Sequence, residues 1–130
     1  MAKKVLLVDD DADIRTIGKN VVTENGYSPL EAEDGLEGLE IVKAEKPDLI
    51  VLDVMMPKQS GLRLYHNVKT DKKLKNIPII MLSGISKNAF LRSQNVLTEF
   101  GDKEVPEPDE YLEKPVDPEK LADTINKYLK

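Results

Sequence analysis

The chain has 130 residues, 40% hydrophobic and 33% charged, with a net charge of −5 and no cysteine. That length fits one domain able to bury its own core, and the lack of cysteine excludes disulfides, thiolate metal sites and thiol catalysis. The acidic balance argues against direct nucleic-acid binding, which relies on Lys/Arg patches, and no apolar run approaches the roughly 18 residues of a membrane span. The apolar stretch after Met1-Ala-Lys-Lys stops at three aspartates, too short for a secretory signal. A cytoplasmic protein without membrane insertion is expected.

Val5 to Val8 reads as a buried strand. Ile14, Ile17 and Val21 then recur at helical spacing until Asn25-Gly26 stops the helix; Asp11 or Asp13 is its expected cap. A strand from Ser28 to Ala32 carries Pro29, which suits a sheet edge or a strand start. Asp34 is the expected N-cap of a second helix turning Leu36, Leu39 and Val42 inward, closed by Pro47. Asp48 to Asp53, four apolar residues bounded by acids, is the clearest strand.

The loop Met55 to Gly61 leads to a helix with Leu62, Tyr65 and Val68, and Ile77 to Leu82 is a fourth buried strand. A helix is expected over Lys87 to Phe100, an acidic, proline-bearing loop over Gly101 to Glu110, and a short strand over Glu110 to Glu113. Asp117 and Pro118 open the last helix, which turns Leu121, Ile125 and Leu129 inward. Five strands alternating with five helices imply an α/β fold with a parallel sheet covered on both faces, and the continuous apolar strands agree with that burial.

In such sheets ligands sit beyond the carboxyl ends of the strands, where the strand order reverses. Those ends carry Asp9-Asp10, Asp53, Ser83-Gly84 and Lys114-Pro115. Clustered carboxylates repel one another unless a cation lies among them, and an all-oxygen ligand set suits a hard ion such as magnesium. Replacing Asp10 by asparagine is expected to relieve that repulsion. A carboxylate so placed can attack a phosphoryl group, with a lysine and a metal offsetting charge on the transferring oxygens.

These residues, in order and each at a strand end, resemble the response-regulator receiver family over essentially the whole chain. The matching motifs are Val8-Asp9-Asp10, Leu52-Asp53 with Met56-Pro57 and Gly61 behind it, Ser83-Gly84, and Tyr111-Leu-Glu-Lys114-Pro115. The resemblance implies a three-layer, doubly wound, flavodoxin-like (βα)5 domain with strand order 2-1-3-4-5. It makes Asp53 the phosphoacceptor. Magnesium is its implied cofactor, held by Asp10 and Asp53, by Asp9 directly or through water, and by the Met55 carbonyl. Lys114, Ser83 and Gly84 are implied at the phosphoryl group, Ser83 and Tyr111 as the switch pair, and a cis bond between Lys114 and Pro115. The implied function is a two-component phosphorelay switch. Its partners would be a sensor histidine kinase or histidine phosphotransfer protein and a downstream protein target, which reads the face of the fourth predicted helix, fifth strand and last helix.

Two departures from the family pattern stand out. The acidic segment sets Ser83 and Tyr111 further apart than usual, and Met55 and Ile85 are apolar where other members carry groups that orient a hydrolytic water. A long-lived acyl phosphate is expected from the second. The side chains of Met55 and Met56 read as packing groups, and His66 as a surface residue rather than a phosphocarrier. Asp9 and Asp11 have the spacing of haloacid-dehalogenase-type phosphatases, but that reading leaves Asp53 unexplained and lacks an acidic pair after Lys114. The chain ends one helix after Lys114-Pro115, so the expectation is a single receiver domain, 1–130, with no output domain and no enzymatic activity beyond its own phosphorylation and slow dephosphorylation.

Overall fold

The computed structural model describes residues 2–53, 60–84, 86 and 108–130. Within them run β1 (Lys4–Val8), α1 (Ala12–Glu24), β2 (Ser28–Ala32), α2 (Gly35–Glu45), β3 (Leu49–Asp53), α3 (Ser60–Thr70), β4 (Ile79–Ser83), β5 (Glu110–Glu113) and α4 (Pro118–Leu129). The expected helix over 87–100 and most of the acidic loop lie outside the described residues. All strand pairs are parallel, in the order β2-β1-β3-β4-β5, as the sequence led one to expect. Pro29 sits on the edge strand β2, where its missing N–H breaks no ladder.

Side chains alternate across the sheet and so divide the core in two. Leu6, Val8, Ile50, Leu52, Ile79 and Met81 pack with Val42, Leu64, Tyr65 and Val68 beneath α2 and α3. Val5, Leu7, Leu49, Val51, Ile80 and Leu82 pack with Val21, Val22, Leu121, Ile125 and Leu129 beneath α1 and α4. Both layers are aliphatic apart from Tyr65, and the strands need apolar residues at every position because both faces are covered.

The helix signals act locally as their chemistry dictates. Asp11 accepts from the Asp13 and Ile14 N–H groups, Asp34 from Glu37 N, and Asp117 from Glu119 N and Lys120 N, satisfying donors the helices cannot. Gly26 takes the left-handed conformation, φ 86°, after α1. The fourth strand begins at Ile79 rather than Ile77. Pro78 has no N–H to enter a ladder, and the Ile79 N–H is taken by the Asp109 carboxylate at 2.8 Å.

Leu36 is also corrected: it is 75% exposed, and the inward face of α2 is Gly35, Gly38 and Val42. Glycines on that face let α2 lie closer than a leucine stripe would allow. A Cβ on Gly38 would stand 2.9 Å from Leu64 Cδ2 and 3.2 Å from Val8 Cγ2, and both side chains are buried. Gly38→Ala is therefore expected to destabilise the protein by about 1–2 kcal/mol in urea unfolding. Overpacking here exceeds alanine's gain in helix propensity.

Candidate functional site

The strand order reverses between β1 and β3, and both strands run out into acids. Val8 pairs with Leu52, so Asp9 and Asp53 leave neighbouring strands side by side. Both are buried, 4% and 3% exposed, whereas Asp10 is exposed. Carboxylate oxygens of Asp9, Asp10 and Asp53 lie within 4.8 Å of one another.

Asp9 is held on three sides. Its N–H donates to Ala32 O at 3.2 Å, its Oδ1 accepts from Asp11 N at 2.9 Å, and its carbonyl accepts from Arg15 Nη1 at 2.5 Å. The second carboxylate oxygen, Oδ2, is buried and accepts no hydrogen bond among the described residues. Lys114 Nζ stands 3.4 Å from that oxygen and 3.4 Å from Asp53 Oδ2. The lysine reaches them because its backbone N–H continues the β4–β5 ladder onto Ser83 O at 2.7 Å, and its bond to Pro115 is cis.

Electrostatics follows from this crowding. Burial pushes the Asp9 carboxyl up to about 6, with the Asp53 charge adding to it and the Asp11 N–H and Lys114 opposing. Burial pulls the Lys114 ammonium down, but Asp53 and Asp9 outweigh it and hold the group above the ordinary lysine value. Burial thus makes ionisation costly at Asp9.

The β4 and β5 ends add the neutral groups. Ser83 is fully buried, and Gly84 is exposed, with open space where a Cβ would stand. Tyr111 is half-buried against the core layer beneath α2 and α3. Its hydroxyl is hydrogen-bonded to Ser83, which opposes the upward push that burial and Glu113 give its pKa. Asp9, Asp10, Asp53 and Lys114 therefore converge, with Ser83, Gly84 and Tyr111 on the adjoining strand ends.

Met55 and Ile85 lie outside the described residues. His66 is half-buried, its Nε2 enclosed, and so is less open than a surface helix position. Asp11, the second acid of the phosphatase spacing, spends its Oδ1 on capping α1. The sequence reading passed over Arg15, whose signal is a lone cation one turn into the helix that follows the acidic strand end.

The donor set fits magnesium: hard oxygens only, one of them buried without a hydrogen bond, with Asp10 open to water. Among the described residues no helix is long and apolar enough to cross a membrane.

The sequence profile of the response regulator receiver domain matches residues 5–126. Over 128 residues the chain is 35% identical to "Probable transcriptional regulator ycf27" of Porphyridium aerugineum, covering 98% of this chain but 48% of that protein, about half its length. It is 27% identical over 129 residues to the polar-differentiation response regulator DivK of Brucella anthropi, covering 99% and 98% of the two chains. The solved structure of the Vibrio cholerae chemotaxis protein CheY4 superposes with a TM-score of 0.82 at 27% identity, over 98% of this chain and 99% of that one. With the profile spanning both acidic strand ends and the lysine, this chain belongs to the response regulator receiver domain family, signalling modules rather than conventional enzymes.

Proposed function

We propose that the chain is a phosphorylation-dependent switch of a two-component phosphorelay, with Asp53 as phosphoacceptor. The donor is a phosphohistidine on a sensor histidine kinase or a histidine phosphotransfer protein. The observation that carries this reading is Lys114 Nζ poised 3.4 Å from the carboxylates of both Asp9 and Asp53. A buried carboxylate faced by an ammonium can accept a dianionic group without being left to repel it alone.

An Asp53 carboxylate oxygen attacks phosphorus, forming an O–P bond as the P–N bond of the donor breaks. The electron pair leaves on the imidazole nitrogen, which takes up a proton. Lys114 and the Ser83 hydroxyl contact the transferred oxygens, and the open space at Gly84 leaves room for them. When bound, magnesium would be held by Asp10 and Asp53, by Asp9 directly or through water and, as the family pattern implies, by the Met55 carbonyl, and it would supply positive charge to those oxygens. Once Ser83 turns to the phosphoryl group it releases its hydrogen bond to Tyr111. The surface around β5 and α4 then changes for a downstream protein target. The domain, 1–130, works in the cytoplasm and binds neither nucleic acid nor membrane directly.

Acetyl phosphate with magnesium is expected to add one phosphoryl group, seen by intact mass, and EDTA to prevent it. Absence of labelling with the metal present would overturn the reading. Steady turnover of p-nitrophenyl phosphate would favour a phosphatase instead.

A further inference from the structure

Arg15 is a cation beside the acidic site, yet among the described residues it makes no ion pair with that site's carboxylates. Its side chain is 13% exposed and its Nη1 donates 2.5 Å to the backbone carbonyl of Asp9. Its other nitrogens face outward, Nε 3.5 Å from Glu31 Oε1 and Nη2 4.0 Å from Glu33 Oε1. Glu31 in turn is gripped by Lys19 at 3.2 Å. The Asp9 peptide is thereby tied to β2 twice, through its N–H to Ala32 O and through its carbonyl by way of Arg15 to Glu31.

We infer that Arg15 is a positioning residue for the metal site, a strut from the β2 end that fixes the Asp9 peptide and so aims its buried Oδ2 at the shared cavity with Asp53. The inference rests on the magnesium reading above.

Charge and positioning predict opposite signs, and this makes the strut testable. Removing a positive charge near three carboxylates makes the site more negative and should tighten magnesium binding. Loosening a ligand's support weakens it, typically by tenfold or more.

Titrating wild type, Arg15→Ala and Arg15→Lys with MgCl2 at constant ionic strength, followed by amide NMR shifts, separates the two. The strut predicts about a tenfold weaker dissociation constant for Arg15→Ala, with far-UV circular dichroism unchanged. Arg15→Lys keeps the charge but reaches only one acceptor, so it should lose a few-fold. Affinity equal to or tighter than wild type in Arg15→Ala overturns the strut. If the alanine variant does not fold, unchanged affinity in Arg15→Lys does the same. Failure of wild type to bind magnesium at all would instead sink the metal reading, a result distinct from either.

Discussion

Asp53→Asn is expected to take up no phosphoryl group from acetyl phosphate and magnesium, with labelling falling from one group per chain to none. The amide is nearly isosteric with the carboxylate of Asp53, itself only 3% exposed, so shape is preserved while the nucleophile is removed. The electrostatic consequence gives a control independent of labelling. The Asp53 charge raises both the Asp9 carboxyl and the Lys114 ammonium, so both should titrate lower in the variant, as NMR can follow. Full labelling of Asp53→Asn would move the acceptor elsewhere. Lost labelling with unaltered Asp9 and Lys114 titrations would contradict the geometry of the cluster.

The second large effect is on the metal-free protein. Asp9 is raised from 3.8 to about 6 in the folded state, so between those values the native state holds more protons than the unfolded chain. Unfolding free energy then falls as pH rises. The contribution is fully present below about 4 and lost above about 6, on the order of 3 kcal/mol. The Lys114 shift has the same sign but a much higher window, its stabilisation vanishing only as pH rises past the ordinary lysine range, so the two do not overlap.

Asp9→Asn should remove this pH dependence. Above pH 6 without metal it should be the more stable protein, because the amide carries no charge to bury beside Asp53. Magnesium at a hundred times its dissociation constant should restore about 2.7 kcal/mol to wild type and little to the variant. Urea unfolding at several pH values between 4 and 7 measures the difference between the two proteins. A difference that stays level across that range would show that burial at Asp9 is not felt as the structure implies.

Much of the molecule was legible in the residues because the information was local. Continuous apolar runs bounded by acids marked β1 and β3, and Asp34, Asp117 and Pro118 marked helix starts by chemistry that acts within one turn. Asp9, Asp53, Ser83 and Lys114 were identifiable because a parallel sheet brings every strand's carboxyl end to one rim. Pattern alone therefore converted sequence position into spatial proximity.

What lay beyond one turn or one strand was decided by tertiary packing. Leu36 fits the helical period but is exposed, because the close approach of α2 to Leu64 and Val8 selects the glycine face instead. Periodicity identifies an apolar face without saying how near its neighbour stands. Asp9 and Asp10 are adjacent acids whose burial the residue pattern does not separate. One is buried in the site and the other lies in water, and burial raises the Asp9 carboxyl. Arg15 carried only a local signal, a cation one turn into α1, because its partner Glu31 comes within reach only once β2 has paired with β1.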